Sequence, residues 1–432
     1  MKGFARSVNR VRVFPHLAAR QGRRQHGNEG TSIMEILSVL FIPEVFLVWT
    51  SLVKTLVLLG IILGLVSYTV YAERKVCALI QDRVGPNRVG IPLTKIRIFG
   101  LGQPIADAVK LVLKENFIPA SVNKFYYYIA PKLAMVPPIL VLAVLPFGSF
   151  LFRDANGHPV PMVIANLNIG VLYVFAVSSL GVYGIVLAGW ASNSKYPFLG
   201  GIRSSSQMIS YELALGLSVI PVFMLCRTLN LSDIVFWQRE NGWLVAPFWP
   251  KGLNWHMVVG GDWNAVREAF AAGFSLQRLL LWIPMCLSFF VFLVAMFAET
   301  NRLPFDLPEA EQELVGGYHT EYSGMGFALF FLGEYAAMIA GSGVIVTLFL
   351  GGWSLPFVPD GSAAGWPGVL FGIVNIGVFF SKVSALLLFF IWVRWTLPRF
   401  RYDQLMKLGW YFFFELALVN IFLTAAVLAY VK

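Results

Sequence analysis

Charged side chains are scarce in this sequence. Asp, Glu, Lys and Arg together make up 13% of the 432 residues, while hydrophobic residues make up 57%. Soluble domains carry about 25% charged residues and about 45–50% apolar residues. A chain with so few charges cannot cover a water-facing surface of its own size. The composition therefore excludes a soluble globular protein and indicates a surface that faces lipid or partner subunits.

Cysteine is also rare. The three cysteines, Cys77, Cys226 and Cys286, are scattered, and no C-x-x-C occurs. An iron–sulfur cluster or zinc ion held by this chain alone is therefore not expected. No glycine-rich phosphate-binding loop follows a strand pattern in the sequence, which excludes a nucleotide site. The sequence also lacks the inverted repeats of a transporter and the fixed repeat period of a solenoid.

Long apolar runs dominate what is present. A membrane-spanning helix needs about 20 mostly apolar residues. This rule predicts spans at 50–72, 128–152, 163–190, 207–226, 279–298, 325–350, 368–393 and 408–431. The expected fold class is all-α, a polytopic membrane protein with about eight transmembrane helices.

The net charge of +10 does not indicate nucleic-acid binding, because Lys and Arg lie in short loops between the apolar runs. In such loops they indicate how the chain is oriented in the membrane. The first, third and seventh loops are rich in them, whereas the second has only Arg153 and the sixth has none. Odd-numbered loops are therefore predicted to face the cytoplasm, with the N-terminus outside. The long outer loop 227–278 contributes little to this assignment, since long loops translocate regardless of charge.

Residues 1–43 do not fit this topology. Residues 1–33 contain seven Lys and Arg residues on the predicted outer side, and Met34 directly precedes the apolar chain. We expect either a start codon assigned too far upstream or a disordered extension. A single transmembrane domain is predicted over 44–432.

The first loop is predicted to contain an amphipathic helix at 104–116, opened by Pro104. One face carries the charged residues Asp107, Lys110 and Lys114, and the other carries Ile105, Ala108, Val109 and Val112. This pattern predicts a helix lying in the membrane interface. An ordinary surface helix packed on the protein is the alternative.

The fifth loop, 299–324, is an acidic island on the side marked by basic residues. It holds Glu299, Asp306, Glu309, Glu311, Glu313 and Glu321, and Arg302 is the only Lys or Arg between Glu299 and Tyr322. Close acids raise one another's pKa and titrate together. The spacing does not match a calcium loop, so a proton path is favoured over a metal site, and no metal is expected.

Acidic residues also occur in the predicted spans. Glu212 and Glu334 lie inside spans, Glu299 closes one, and Glu415 lies in the last. An acid at the helix centre costs about 2.5–3.5 kcal/mol on insertion scales, so such groups usually face a wet cavity and often relay protons. The alternative is a structural acid paired with a buried base, for which Lys54, Lys132 and Lys382 are available.

Several long motifs resemble a known family. They are Glu73-Arg-Lys, Gln81-Asp-Arg-Val-Gly-Pro-Asn-Arg, Gln103-Pro-Ile-Ala-Asp, Ala298-Glu-Thr-Asn-Arg-Leu-Pro-Phe-Asp-Leu-Pro-Glu and Gly317-Tyr-His-Thr-Glu-Tyr. In this order they resemble the H-type membrane subunit of bacterial NADH-quinone oxidoreductase, the counterpart of chain 1 of mitochondrial complex I. The resemblance covers the chain from about Glu44 to the C-terminus.

The resemblance implies a membrane subunit of a proton-pumping NADH:quinone oxidoreductase that is not active alone. With two soluble subunits it would form the chamber for the quinone head group and couple quinone reduction to proton translocation. Quinone is then the substrate, while NADH, FMN and the iron–sulfur clusters belong to partner subunits. Neighbouring membrane-arm subunits and membrane lipid are the other implied partners, in the bacterial inner membrane.

The resemblance also implies roles for individual residues. It puts Glu212, Glu299, Asp306, Glu309, Glu311, Glu313, Glu321 and Glu334 on the coupling path for protons. It puts Arg74, Arg83 and Arg302 where the family lines its quinone channel or holds the acidic loop. Asp107 matches the acid of the family's amphipathic helix.

Three other functions are weighed. The membrane subunit of an energy-converting hydrogenase has a related membrane architecture, but the full acidic signature from Asn301 to Val315 favours the quinone enzyme. A secondary transporter would move ions without any partner, which the missing repeat symmetry disfavours. A structural anchor would tolerate neutral replacements at Glu212 and Glu299.

The loops holding Arg74, Lys195, Asp306 and Arg401 are predicted to share the cytoplasmic side, because the Lys/Arg bias requires it. A membrane-impermeant thiol reagent applied to intact cells should miss single cysteines introduced into these loops. Labelling of any of the four from outside would contradict the topology.

Overall fold

The structure is a computed structural model that describes residues 43–90, 99–153, 159–246, 261–273, 276–355, 358–359 and 366–431. Within these ranges, eight helices are long and apolar enough to cross a membrane. This confirms the predicted all-α polytopic fold. Residues 1–42 of the predicted N-terminal extension lie outside the described residues. Residues 247–260 of the predicted outer loop lie outside them too.

The first five spans are α1 (Pro43–Ile80), α3 (Lys124–Leu142), the pair α4 (Gly170–Ser178) and α5 (Leu180–Ala191), α6 (Lys195–Cys226), and α9 (Leu276–Glu299). The last three are α11 (Gly324–Phe349), α12 (Trp366–Thr396), and a helix made of α13 (Tyr402–Lys407), a π-helical turn (Leu408–Phe413) and α14 (Phe414–Val431). The connecting elements are α2 (Gln103–Leu113), α7 (Leu231–Asn241), α8 (Trp263–Gly273), α10 (Glu311–Leu314) and a 3-10 turn (Gly317–His319).

The second predicted span, 128–152, is wrong at its end. Helix α3 stops at Leu142, and the apolar chain continues as strand β1 (Gly148–Arg153), which pairs antiparallel with β2 (Pro159–Met162). Pro146 disfavours helical backbone at the residue before it and interrupts the run. Apolar length alone does not distinguish a buried strand from a helix, which is why it does not predict the hairpin.

Two further bounds differ from prediction. The span predicted at 163–190 is broken at Ser179 and begins only at Gly170. Helix α6 begins at Lys195 rather than at 207. The first turns of α6, which include Gly200, Gly201 and Ser204, contain too few apolar residues to be included in a span by the apolar-length rule. They lie against the acidic loop instead of lipid.

The predicted amphipathic helix forms at Gln103–Leu113 and has no buried residue. The side chains of Ile105, Val109 and Val112 are all more than half exposed. Helix α2 contacts α11 and leaves this apolar face uncovered in the isolated chain. The arrangement favours a helix lying in the membrane interface over one packed face-down on the protein.

Helix α11 is the most buried of the eight spans and contacts α3 and α12. Backbones approach closely where α3 meets α5 and α11. A Cβ atom built on Gly184 would lie 2.6 Å from the Ala134 nitrogen, and one on Gly333 would lie 2.9 Å from the Ala134 oxygen. Glycine is needed here for helix contact, as in membrane interfaces built from small residues.

We expect Gly184→Ala to lower the free energy of unfolding by about 1–3 kcal/mol, because the added methyl group must displace backbone. Gly181→Ala, on the same helix, is the matched control, since a Cβ there meets no atom within 4 Å. Thermal unfolding of the detergent-purified protein compares the two variants. Equal stability would show that α3 and α5 separate without cost.

Candidate functional site

The acidic loop runs between α9 and α11 and is held against α6 by a buried glutamine. The Gln207 side chain is fully buried. Its Nε2 donates to the carbonyl oxygens of Ala298 at 2.9 Å and Phe305 at 2.7 Å, and to Asn301 Oδ1 at 3.2 Å. One amide thereby satisfies backbone and side-chain acceptors where α9 ends, and fixes the start of the loop to α6.

Glycines allow the rest of the loop to approach α6. A Cβ on Gly200 would lie 2.8 Å from the Pro308 oxygen and from the Tyr318 nitrogen. Gly317 has a φ of +62° and lies directly against Pro308 and Glu309. Other residues rarely adopt this φ, so Gly317 permits the turn that brings His319 beside Glu309.

Arg302 is the centre of the site. Its side chain is 4% exposed, its Nε lies 2.7 Å from Glu334 Oε1, and its Nη1 lies 3.8 Å from Glu73 Oε2. Its Cζ lies 4.3 Å from the ring centroid of Tyr335. Burial by itself lowers the pKa of Arg302, but the charges of Glu334 and Glu73 more than reverse this and raise it. The guanidinium therefore stays charged between two buried carboxylates.

Glu73 joins this cluster although the sequence analysis does not single it out. Tyr335 Oη donates to Glu73 Oε2 at 2.5 Å, and Arg394 forms an ion pair with Glu73 Oε1. The predicted first span ends at 72, which leaves Glu73 only as part of a motif. The apolar run Val76–Ile80 beyond it, which α1 includes, is the signal that Glu73 lies within a helix of spanning type.

Asp306 and Glu309 form the neighbouring part of the cluster. Arg399 Nη2 lies 2.9 Å from Asp306 Oδ2, and Asp306 Oδ1 is buried without a hydrogen-bond partner among the described residues. Burial and the charge of Glu309 raise the pKa of Asp306 to about 7, although Arg399 opposes this. Burial also acts to raise the pKa of Glu309, but the hydrogen bond from His319 and the positive charges nearby, which include those of Arg302 and Arg394, outweigh it, and the net shift is downward.

Arg394, Arg399 and His319 are also site residues that the sequence analysis misses. In the sequence the two arginines serve only as topology signals in the seventh loop, and His319 occurs only inside a motif. Arg394 lies 321 residues from its partner Glu73, and Arg399 lies 93 residues from Asp306. Nothing in their local sequence shows that α12 returns its end to the acidic loop.

Glu299 and Glu212 lie on the membrane side of the cluster. Glu299 Oε2 is buried with no hydrogen-bond partner among the described residues, and the charge of Glu212 acts on Glu299. A cavity of about 890 Å³, the Glu299 cavity, is lined by both Glu299 and Glu334, with Thr300, Asn301 and Tyr318. A buried carboxyl oxygen without a protein donor is stable only if it is hydrated or protonated, which this cavity permits.

Two further cavities adjoin each other near Glu73. The Glu73 cavity, of about 910 Å³, is lined by Glu73, Arg74, Gln81, Arg83, Tyr335 and Arg394 among others. The helix-α2 cavity, of about 900 Å³, shares Val70, Arg74, Phe331 and Tyr335 with it and is mostly apolar. Arg74 Nη1 lies 2.7 Å from Asp107 Oδ2 and joins α1 to α2 between them. Together the two cavities suit a ligand with an apolar tail and a polar head.

Other predicted residues lie apart from this cluster. Glu313 is 59% exposed and pairs with Arg203 at 2.6 Å, while the Glu321 side chain is half-buried at the loop's end. The side chain of Glu311 lies outside the described residues. Glu415 is exposed on the last span. Within the described part of the chain, no group of three or more His, Cys, Asp or Glu residues could hold a metal.

The lysines considered as partners for the buried acids bind elsewhere. Lys382 Nζ donates to the carbonyl oxygens of Leu350, Gly352 and Ser354, each at 2.8 Å. Lys54 Nζ donates to the Pro161 oxygen at 3.0 Å, and Lys132 is exposed. Arginines, not lysines, therefore pair with the buried acids Glu73, Glu334 and Asp306.

Comparison with known proteins extends the motif resemblance along the chain. A protein-family model described as NADH dehydrogenase matches residues 53–425. The first of the H-type NADH-quinone oxidoreductase subunits of Cytophaga hutchinsonii is 43% identical over 389 residues, which cover 89% of this chain and 98% of that protein. The H-type subunit of Rhodospirillum rubrum is 46% identical over 88% of this chain and 95% of its own length. NADH-quinone oxidoreductase subunit 8 of Rhodothermus marinus is 44% identical over 88% and 97%.

The carboxyl of Asp306 is expected to titrate near neutral pH. With a pKa of about 7, it is mostly protonated at about pH 6 and mostly ionised at about pH 8. The infrared difference spectrum of the purified protein between these pH values should show loss of a protonated-carboxyl band, which Asp306→Asn removes. Asp403→Asn, at an exposed acid, is the control that keeps the band. An unchanged spectrum in Asp306→Asn would refute the assignment.

Proposed function

Because the chain belongs to the family of the H-type membrane subunit of NADH-quinone oxidoreductase, we propose that it binds the quinone head group and couples quinone reduction to proton translocation. Its partners in this role are the other subunits of the complex, and they carry NADH, FMN and the iron–sulfur clusters. The chain supplies the membrane side of the quinone chamber and a row of carboxyl groups leading away from it.

One observation carries this proposal. The Arg302 guanidinium contacts two carboxylates, Glu73 at 3.8 Å, which lines the Glu73 cavity, and Glu334 at 2.7 Å, which lines the Glu299 cavity. A charge change in the first cavity therefore acts through one buried cation on the second. Such a contact is expected of a coupling element and is not needed by an anchor.

The adjoining cavities support a quinone as the ligand. Its isoprenoid tail would lie in the apolar helix-α2 cavity and its head in the Glu73 cavity. Arg74 and Arg83 line that cavity and offer donors to carbonyl oxygens without titrating. The Arg74–Asp107 pair fixes α2 at the entrance.

Reduction of a quinone to a quinol consumes two electrons and two protons. The electrons come from the partner subunits, and the protons reach the head group from the acidic cluster, in which Asp306 titrates near neutral pH. Each proton removed adds negative charge beside Arg302 and changes its balance between Glu73 and Glu334. Glu334 and then Glu299 exchange protons with the Glu299 cavity in response, and Glu212 continues the path.

The test measures NADH-driven quinone reduction together with a pH-gradient dye in vesicles containing the purified complex. We expect Glu299→Gln and Glu212→Gln to lower protons pumped per quinone while reduction continues, because Gln keeps size and hydrogen bonds but cannot titrate. Glu73→Gln should lower both, since it lies at the head group. Glu268→Gln, at an exposed acid of α8, is the control.

If both Glu299→Gln and Glu212→Gln pump protons at the wild-type ratio per quinone, the glutamates are structural and the coupling path is wrong. Normal quinone kinetics in Glu73→Gln would instead remove the head group from the Glu73 cavity. Assembly is checked by recovery of all co-purifying subunits, so that a loss of activity is not a loss of the complex.

A further inference from the structure

A fourth cavity lies beside the acidic loop and shares no described lining residue with the Glu73 or Glu299 cavity. This cavity, the His319 cavity, has a volume of about 610 Å³ and is lined by Leu111 and Lys114 at the end of α2 and by loop residues Gly316, His319, Thr320 and Ser323. Of its described lining residues, Leu111 alone also lines one of the other three cavities. It lies on the loop side of the protein, where the charge pattern predicts the cytoplasm.

His319 lines this cavity and also contacts an acid of the cluster. Its Nε2 lies 3.5 Å from Glu309 Oε1, and its side chain is 17% exposed. Its other edge is turned to the cavity wall, because a Cβ built on Gly316 would lie 3.5 Å from Cε1 and 3.6 Å from Nδ1. Nε2 therefore faces Glu309, while Nδ1 lies beside Gly316 in the wall of the cavity.

The imidazole is held in this orientation by aromatic rings. Its centroid lies 5.1 Å from that of Tyr318 and 5.3 Å from that of Phe327, both nearly edge-on at 80°. The charged and titratable groups around it are Glu309 on the loop, Lys114 on α2 in the same cavity, and Tyr318 and Tyr322 beside it. Glu309 is the carboxylate among them, and its charge acts on Asp306, Glu334 and Arg302.

We propose that His319 carries protons from the His319 cavity to Glu309, as an entry to the acidic cluster that is separate from the quinone cavity. This rests on the proposed coupling function and adds the route by which the cluster is refilled. A neutral imidazole has one donor and one acceptor nitrogen, so it can accept at one edge and donate at the other.

The transfer balances for one proton. A hydronium ion in the cavity gives its proton to Nδ1 and becomes water, and the proton on Nε2 passes to the Glu309 carboxylate. The imidazole is left neutral with its proton on Nδ1. Rotation of the ring, or return of that proton through water, restores the starting tautomer, and Glu309 passes its proton on to Asp306.

The test uses the purified complex in vesicles, with His319→Asn and His319→Ala. The Asn amide can still donate to Glu309 but cannot relay a proton, whereas Ala leaves room for added imidazole. We expect the rate of pumping to fall by at least about tenfold in both, in line with loss of a positioned acid–base group. Imidazole should restore pumping in His319→Ala but not in His319→Asn, whose side chain occupies the space.

Glu299→Gln is the matched comparison, because imidazole cannot replace its carboxyl group. Wild-type pumping in His319→Asn would overturn the proposal, and so would a loss in His319→Ala that imidazole does not relieve. Should His319→Ala fail to assemble, His319→Asn alone decides by its pumping rate. If Glu299→Gln pumps normally, the coupling path itself fails; if only the His319 variants pump normally, the path stands without this entry.

Discussion

The site depends on one buried positive charge. Arg302 loses its hydration, and three features compensate it: Glu334, Glu73 and the face of the Tyr335 ring. Removing one partner from such a group leaves an uncompensated charge, at a cost of about 3–5 kcal/mol. The carboxylates depend on Arg302 for the same reason. The end of α1, the middle of α11 and the loop after α9 are thus joined by electrostatic interactions as well as by a shared hydrophobic core.

This dependence explains why the loop is so closely packed. An ion cluster remains balanced only if its members keep their distances, and loops are ordinarily the mobile parts of a protein. Here Gln207 Nε2 donates to three acceptors at the start of the loop and holds it to α6. Gly200 and Gly317 allow close contacts between backbone segments. Arg399, just after the end of α12, pairs with Asp306 on the loop, and Arg394, near the end of α12, pairs with Glu73 on α1.

Hydrophobic run length predicts the fold class because the bilayer sets one dimension that every span must meet. The same criterion misses the β1–β2 hairpin, since an apolar strand and an apolar helix differ in period and not in hydropathy. It also ends α1 before Glu73 and begins α6 after Gly200, where polar residues continue a helix beyond the apolar run. The acids of the site are predictable because a carboxyl in a span is costly. Their partners Arg394, Arg399 and His319 are not, since pairing over long separations is set by tertiary packing.

The placement of the cavities gives the cluster a direction. The Glu73 cavity adjoins an apolar cavity lined by α2, the Glu299 cavity lies between the spans, and Arg302 contacts one lining carboxylate of each, Glu73 and Glu334. A proton cannot pass through a guanidinium that stays charged, so Arg302 cannot relay a proton from Glu73 to Glu334. A change of charge at Glu73 still acts on Glu334, because Coulomb interactions between buried charges are only weakly screened. In the proposed function, Arg302 would therefore transmit the electrostatic effect of quinone reduction without relaying a proton from Glu73 to Glu334, since such a relay would return a pumped proton to the quinone.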